Sequence, residues 1–512
     1  MAENLASFKV FCQGGLNTSR DVLSQGETQP GSAVALINYE PAVTGGYRKI
    51  NGFSNDYGTV TGTGNVLGVC VANGINDGIL ACRTPSSGNN YLHYWNTATS
   101  AWVAVTTSGS PTMTGVTKVR FTKYNWSSPK VLLTDGINPA AIYDGTTYTQ
   151  ITHADAPTDP KYSAVFQNHM FLAGDPSEQT NLYFSAPYDE TDYSASSGAG
   201  VINVGFPIVA IKSFRDSLYV FGSNNIRKIV GNNISNFVLQ EVTDDLGCLA
   251  TDSVIEIGGD LLFLSQDGLR PISGTDKIGD VNLETVSKDI QSIFTDIVFD
   301  IDLEGLNAVV IRQKTQFRYF FAAADSQGII GGFRQTPNGL QFEYSQMLGI
   351  TATCSDSGYI GQNEFVIHGD SSGKVHRQEQ GNDFDGENIL SIFQTPFFHM
   401  QDPEQRKIFY TVATYLRSEG DNEIVMSAVY DYEDVDTLNP TNFNLSTTGA
   451  AAYYNEALYN STAIYDGNPS PVQRTNISGS GKSASFKFVT NDSNASHSIQ
   501  GLVITFGVGD RL

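Results

Sequence analysis

The chain has 512 residues, with 30 Lys and Arg against 53 Asp and Glu, and therefore a formal net charge of −23. Charged residues make up only 16 % of the sequence and aromatic residues 11 %, which excludes a disordered chain, because disordered chains are rich in charge and poor in aromatics. The basic pairs at 48–49 and 406–407 are too small to hold a nucleic-acid backbone, and no apolar run reaches the roughly 18 residues of a transmembrane helix.

Residues 1–58 read as an extended N-terminal arm rather than a domain. The first four residues lack the basic and apolar regions of a secretory signal, so we expect none. Glycine pairs at 14–15 and 45–46, with a Pro-Gly pair at 30–31 between them, interrupt any regular element. Because the segment has too few apolar residues to offset its own ordering entropy, we expect it to pack on another part of the chain.

Residues 59–392 repeat one plan: an apolar strand, a short turn, an aromatic-rich strand and a polar loop. The hydrophobic period is two, and Asp267 with Gly268 marks a hairpin, because Asp-Gly favours the positive φ of tight turns. A period of about 40–50 residues with several strands per repeat is typical of propeller blades. We therefore predict a degenerate β-propeller, with a stack of β-sandwiches as the alternative. The repeats begin near Val66, Val119, Tyr162, Ile208, Val254, Ala308 and Ala352.

One short amphipathic helix interrupts the strands near residues 283–297. Its apolar residues recur at helical spacing and form one stripe, with Ser287, Lys288 and Asp289 on the opposite side. We expect this helix to pack against the rim of the propeller, and presentation to a neighbouring subunit is the alternative. The stripe consists of Leu283, Val286, Ile290, Ile293, Phe294 and Ile297.

Residues 393–512 differ in composition and predict an additional β-sandwich-like domain. Alternating strands surround a loop at 436–479 that is rich in Asn, Thr, Ser, Ala and Tyr. The predicted fold class is therefore all-β, with an arm (1–58), a propeller (59–392) and a C-terminal sandwich (393–512).

No motif in the sequence carries chemistry. It has no nucleophile elbow, no phosphate loop and no HExxH pair, and its five scattered cysteines predict buried thiols in a reducing compartment. The carboxylates of Asp244, Asp245, Asp252 and Glu256 are available to a propeller glycosidase, but nothing places them opposite one another. We therefore predict no catalytic residue, no cofactor and no metal.

Two weaker patterns favour structural roles. Residues 382–387 resemble the start of a calcium loop but lack its later Glu and its flanking helices, so we predict a turn. Trp95, Trp102 and Trp126 lie in one part of the chain, and we expect them to anchor hairpins rather than to form a sugar platform.

Three stretches of the sequence resemble one family. They are the glycine-rich opening, the segment 210–226 and the closing strand at 499–507. Together they are similar to the tail nozzle, tail tubular and packaged-DNA stabilisation proteins of short-tailed bacteriophages. Glycines and strands carry the likeness, rather than catalytic residues. The family-like residues of the opening are Gly14, Gly15, Leu16, Asn17, Tyr47 and Arg48.

The resemblance implies a structural virion protein that is assembled in the bacterial cytoplasm. In this family six copies form a ring below the head-to-tail adaptor, extend the DNA channel, retain the packaged genome and conduct it during ejection. A tail fibre or spike docks on the flank, and a plug or needle docks at the tip. The chain is shorter than the longest members of the family, which puts the fibre contact in doubt.

An acidic channel follows from the charge and this role together. A chain with −23 charges and no basic patch repels double-stranded DNA, which would pass without specific binding. Candidate wall residues are Asp244, Asp245, Asp383 and Asp385, and solubility is the alternative reason for the acidity. Two other functions stay open: a propeller hydrolase or lectin acting on cell-surface carbohydrate, and a distal protein of a long tail.

Overall fold

The structure is a computed structural model. It describes residues 5–42, 45–88, 90–111, 113–273, 285–300, 303–321, 327–336, 339–434, 437–447 and 471–508.

The N-terminal arm is a series of short elements whose strands pair with several parts of the protein. Helix α1 is capped by Asp21, whose carboxylate accepts the N–H of Ser24 at 2.8 Å. The expectation that the arm packs on the rest of the chain is confirmed, because every one of its strands is paired. The elements are β1 (Leu5–Phe11), α1 (Val22–Thr28), β2 (Ala35–Ile37), β3 (Tyr39–Pro41), β4 (Tyr47–Lys49) and β5 (Phe53–Ser54).

The first three blades of the propeller are antiparallel meanders in chain order. Strand β10 adds to the second blade by pairing in parallel with its outermost strand. The first blade comprises β6 (Thr63–Val71), β7 (Ile79–Thr84), β8 (Leu92–Asn96) and β9 (Ala101–Ala104). The second comprises β10 (Thr106–Thr107), β11 (Arg120–Asn125), β12 (Pro129–Thr134), β13 (Ala141–Tyr143) and β14 (Thr147–Gln150). The third comprises β15 (Tyr162–Phe166), β16 (His169–Ala173), β17 (Asn181–Phe184) and β18 (Gly200–Asn203).

Two further blades precede the helix α2 (Gln291–Asp300). In the fifth, Ser265 pairs with Gly268, which has φ +115°, so the predicted Asp-Gly hairpin is confirmed. The fourth comprises β19 (Ala210–Phe214), β20 (Ser217–Phe221), β21 (Ile226–Val230) and β22 (Val238–Thr243). The fifth comprises β23 (Ile255–Ile257), β24 (Asp260–Ser265) and β25 (Gly268–Pro271).

Two more meanders complete the circle after α2. Strands β26 to β29 form half of a large sheet, and the last blade borrows β5 from the arm as its outer strand. The first meander comprises β26 (Asn307–Ile311), β27 (Gln316–Phe320), β28 (Gln327–Thr336) and β29 (Gly339–Leu348). The last blade comprises β30 (Cys354–Ile360), β31 (Asn363–Gly369) and β32 (Val375–Gln378).

The inner strands close a ring, which confirms the β-propeller and rejects the stack of sandwiches. Successive inner strands contact one another from β6 through β11 and β15 to β19. The 3₁₀ turn Thr251–Ser253, just before β23, contacts both β19 and β26, and the ring continues from β23 through β26 and β30 back to β6. In the described part of the chain, six blades are separate sheets, and the β26–β29 meander fills the remaining place. All seven predicted repeat starts lie within two residues of, or inside, these inner strands.

The C-terminal region contributes strands to both sheets of a sandwich, as predicted. One seven-stranded sheet has the order β3-β4-β40-β34-β37, with β1 on β40 and β38 on β34. A nine-stranded sheet runs β26-β27-β28-β29-β2-β33-β39-β35-β36, so β2 joins the propeller to the sandwich. The strands are β33 (Ile389–Gln394), β34 (Lys407–Ser418), β35 (Glu423–Tyr430), β36 (Phe443–Ser446), β37 (Val472–Asn476), β38 (Ser480–Gly481), β39 (Ala484–Asp492) and β40 (His497–Val508).

Aromatic side chains fill the sandwich core between the two sheets. Phe409 stacks on Tyr430 at 5.0 Å between ring centroids, and Phe393 stacks on Phe488 at 5.6 Å. The five cysteines are buried and unpaired, as expected. The predicted boundary at 392–393 falls inside β33, and the predicted loop at 436–479 contains β36 and β37, while its residues 436 and 448–470 lie outside the described residues.

The predicted helix begins later than the apolar stripe indicates. A 3₁₀ turn at Lys288–Ile290 leads into α2. Ile290 and Phe294 are buried in the main core, which confirms that the stripe packs against the protein. Leu283 and the side chain of Ile297 lie outside the described residues.

Candidate functional site

The family-like glycines carry the arm across strand β29. Gly14 donates its N–H to Glu343 Oε1 at 2.7 Å, and Leu16 donates to the carbonyl oxygen of Tyr344 at 2.7 Å. Gly15 has φ +67°, and a Cβ there would lie 2.7 Å from the backbone nitrogen of Tyr344. Only glycine fits this close approach, because any side chain would meet backbone that has no room to shift.

Asn17 fastens the arm to the 3₁₀ turn that leads into α2. Its Nδ2 donates to Asp289 Oδ1 at 3.0 Å, and the N–H of Thr18 donates to the Asp289 carbonyl at 2.8 Å. The Asn17 Oδ1 accepts the N–H groups of Ser19 and Arg20, both at 3.2 Å. A buried amide that satisfies both of its ends in this way fixes the direction of the chain.

Tyr47 joins the opening motif to the closing strand. Its hydroxyl donates to the carbonyl of Gly31 at 2.7 Å and accepts the N–H of Gly15 at 3.0 Å. Strand β4 pairs Tyr47 with Ile499 of β40. Two of the three stretches that carry the family resemblance, the opening and the closing strand, therefore meet around one buried tyrosine.

Arg48 enters a cluster of ionised side chains where the arm, the propeller and the sandwich meet. We call Glu40, Arg48, Lys314, Arg318, Glu379 and Glu419 the ion cluster. Arg48 holds Glu419 through two bonds of 2.6 Å and contacts Glu40 at 3.1 Å. Lys314 bridges Glu40, at 2.7 Å, and Glu379.

The centre of the ion cluster is the fully buried guanidinium of Arg318. It binds Glu379 and donates to Gln378 Oε1 at 2.9 Å. Burial alone raises the pKa of Glu379, but Arg318 and Lys314 outweigh it and hold this pKa well below its usual value. The cluster contains three acids and three bases, so its charges balance inside the protein.

Only Arg48 of this cluster was singled out from the sequence. Periodicity does not show which charged residues become buried, because a charged residue on a strand is normally solvated. One signal was available: Arg318 lies between two aromatic residues of β27, Phe317 and Tyr319.

A buried histidine next to this cluster makes the stability depend on pH. His497 Nδ1 lies 3.1 Å from Asn422 Oδ1 and His497 Nε2 lies 2.9 Å from the hydroxyl of Tyr39, so a neutral ring with its proton on Nδ1 satisfies both contacts. Burial, and then the Lys49 ammonium, lower the pKa of His497 to about 3, while Asp492 opposes them.

We expect this histidine to destabilise the fold in mild acid. Its pKa is depressed from 6.5, so its contribution is complete above pH 6.5 and is lost as the pH falls toward 3. Between pH 7 and pH 5 the loss is about 2 kcal/mol. Urea unfolding at both pH values measures it, and His497→Gln should reduce the difference by that amount. The partly exposed His153→Gln serves as control, and an unchanged difference in His497→Gln would contradict the assignment.

The seven-stranded sheet exposes apolar side chains on its outward side, which we call the outer face. In register, Phe11 of β1 and Tyr415 of β34 flank Gly501 of β40, and Leu5 and Ile408 flank Gly507. Phe11 is 69 % exposed and Tyr415 40 %. A groove of about 590 Å³ runs between them over β40. Exposed apolar side chains that cluster on one sheet face are typical of a protein–protein contact.

The four predicted wall carboxylates lie in two places. Asp244 and Asp245 are exposed after β22, where Asp244 contacts Arg227 at 2.6 Å. Asp383 and Asp385 belong to the turn after β32, where Asp383 Oδ1 accepts the N–H of Gly386 at 2.7 Å. None of the four is among the described residues that line the central channel of the propeller. Whether they face a channel in an assembled ring stays a prediction.

The tryptophans anchor hairpins, as predicted. Trp95 and Trp102 are cross-strand partners with ring centroids 5.5 Å apart, and Trp102 Nε1 donates to the carbonyl of Tyr57 at 2.7 Å. Trp126 packs on Tyr124 at 5.0 Å.

Within the described ranges, no group of three or more His, Cys, Asp or Glu side chains has the arrangement of a metal site. Among the same residues, no helix is long and apolar enough to cross a membrane.

No protein-family model and no curated protein matches the sequence. Among solved structures, Hsv2 of Kluyveromyces lactis is 9 % identical with a TM-score of 0.30, over 56 % of this chain and 99 % of that chain. Hsv2 with loop 6CD replaced by a Gly-Ser linker is also 9 % identical, with a TM-score of 0.31, over 56 % of this chain and 99 % of that chain. The extracellular domain of a protein described as a hybrid two-component system from B. thetaiotaomicron is 12 % identical with a TM-score of 0.39, over 70 % of this chain and only 43 % of that chain. No function of this chain follows from these similarities.

Proposed function

We propose that this protein is a structural subunit of a bacteriophage tail, the nozzle that extends the DNA channel below the head-to-tail adaptor. The observation that carries the proposal is the meeting of the family-like opening with the closing strand around Tyr47. Gly15, Asn17 and Tyr47 use their polar groups and their shape to join the arm to the body. Residues with such roles support an architectural function rather than a chemical one.

The outer face supports assembly with a second copy of the same chain. Phe11, Tyr415, Leu5 and Ile408 are exposed on one sheet, and burying them against another protein is favourable at about 25 cal/mol per Å². A homomeric ring, with six copies as the family resemblance implies, would cover this face once in every subunit. The adaptor, a plug or needle, and a tail fibre or spike are the further partners of the proposal.

We expect the purified protein, alone or mixed with its adaptor, to form rings with a mass near six times that of the chain. Phe11→Asp combined with Tyr415→Asp should abolish the rings, because two buried carboxylates without partners cost several kcal/mol per interface. Light scattering and negative-stain microscopy measure the outcome. Both side chains are exposed in the single chain, so its melting temperature should not change.

Val238→Asp is the matched control, because Val238 is also exposed but lies on the outer strand of a propeller blade. It should leave the rings intact. A monomer that cleaves or binds polysaccharide, with or without the substitutions, would instead favour the hydrolase or lectin.

The charge of the chain supports passage of DNA through such a ring. A net charge of −23 per subunit repels a duplex within a Debye length of about 8 Å at physiological salt. Exposed Asp244 and Asp385 are candidates for the channel wall in this proposal. DNA would then pass without specific binding, because no basic surface retains its phosphates.

A further inference from the structure

The centre of the propeller contains an open cavity of about 260 Å³. It lies where the inner strands begin, and each of the seven meanders contributes to its wall. In an acidic protein the composition of this wall is unexpected, because its basic side chains outnumber its acidic ones.

The first carboxylate of the wall, that of Asp252, forms ion pairs with two basic side chains. Asp252 Oδ2 contacts Lys118 Nζ at 2.7 Å and Arg120 Nη2 at 2.8 Å, and Asp252 Oδ1 accepts from Arg120 Nε at 3.0 Å. These two cations hold the pKa of Asp252 far below its usual value, although burial raises it. Arg120 Nη1 is buried and has no hydrogen-bond partner among the described residues.

The second carboxylate of the wall, that of Asp356, also forms an ion pair. Asp356 Oδ2 contacts Lys123 Nζ at 2.8 Å and accepts the N–H of Val71 at 2.8 Å. With Lys118, Arg120, Lys123 and Lys212 against Asp252 and Asp356, the cavity and its immediate partners carry four basic groups and two acidic ones.

Lys212 is left without an opposite charge. It lines the cavity and is exposed to the solvent there, yet it forms no ion pair or hydrogen bond with any part of the chain that the structure describes. Lys123 and Arg312 repel its ammonium group, while Glu256 and Asp356 attract it from a distance. A bound anion would offset the repulsion of the Lys212 ammonium by Lys123 and Arg312.

We propose that the axial cavity binds a small oxyanion, a phosphate or a carboxylate, through Lys212. Lys118 and Arg120 line the same cavity and together exceed the charge of their partner Asp252 by one, which favours an anion there. The volume admits an anion of a few heavy atoms and excludes a nucleic-acid duplex, whose major groove alone is about 12 Å wide. This site is therefore too small for DNA.

Calorimetric titration of the full chain at low ionic strength tests the site, with inorganic phosphate in one arm and citrate in the other. We expect saturable binding of at least one of them and a higher melting temperature in its presence. Lys212→Met should weaken binding about tenfold or more, because it removes a charge-assisted hydrogen bond. The relative affinities for phosphate and citrate show whether the site prefers a phosphate or a carboxylate.

Lys482→Met is the control, because Lys482 is an exposed lysine of the sandwich whose ion pair, with Glu404, spans 3.5 Å. The Lys482→Met variant should bind phosphate and citrate with the same affinity as the unchanged protein. Sodium chloride at equal ionic strength should give no saturable heat. Absence of binding up to about 10 mM of both anions, or equal binding by Lys212→Met, would overturn the proposal.

Discussion

Arg318→Met is expected to lower the free energy of unfolding by about 3–5 kcal/mol, the cost of leaving a buried charge without its partner. The guanidinium is fully buried and contacts Glu379 directly and Glu40 at 3.7 Å. Methionine fills much of the same volume but leaves Glu379 with Lys314 and the amide of Asn51 alone. Urea unfolding at pH 7 measures the change, and sandwich and propeller should lose stability together, because the ion cluster joins them.

Two further variants separate the charge from the packing. Arg318→Met with Glu379→Gln should recover part of the loss, because it removes the uncompensated carboxylate. Arg406→Met removes an exposed arginine that bonds only Ser480 among the described residues, and should change stability by less than about 1 kcal/mol. A loss below about 1 kcal/mol in Arg318→Met would mean that the cluster is not needed for stability.

Gly15→Ala is expected to cost more than about 2 kcal/mol, through two effects that add. The φ of +67° disfavours any L side chain, and the new Cβ would lie 2.7 Å from the Tyr344 nitrogen and 2.9 Å from its carbonyl oxygen. The arm would have to move off β29 and would lose the bond from Leu16 to Tyr344. Thermal unfolding measures the stability, and faster cleavage of the arm by protease should accompany its loss.

Gly58→Ala is a close match, because Gly58 has φ +63° and nothing lies within 4 Å of the position that its Cβ would take. It reports the backbone strain alone, of about 1 kcal/mol. If both alanine variants lost the same stability, the close approach of the arm to β29 would have no energetic role.

The propeller was predictable because the strands that pair within each blade lie next to one another in the sequence. Each blade is a meander whose strands are neighbours in sequence, so the repeat starts at Val66, Val119 and Tyr162 fall next to or within β6, β11 and β15. The sandwich was predictable only as a class. Its sheets are made from strands at both ends of the chain, such as β1 with β40, and periodicity does not reveal a partner so distant in sequence.

The sequence indicated the site residues that shape the backbone of the arm, but not the charged residues of the ion cluster and the cavity. Gly15 and Tyr47 are recognisable from the resemblance, and the structure gives both a steric or polar task. Arg318 was missed because a lone charged residue in a strand looks solvated until the surrounding strands are placed. Lys212 was missed because the sequence does not show that its side chain lines the cavity. The carboxylate of Asp252 was noted, but its partners Lys118 and Arg120 lie on another blade.

The pairing of β1 with β40 also sets an order of events during synthesis. Strand β1 leaves the ribosome first among the described strands, yet its partner follows all the others, whereas each blade from β6 onward can fold as soon as its meander has emerged. Until β40 has been synthesised, the apolar residues of β1 have no partner strand and can bind chaperones or aggregate. The outer face, which needs β1, β34 and β40 together, comes into existence only at that moment. Nascent chains therefore lack the surface on which the proposed assembly depends.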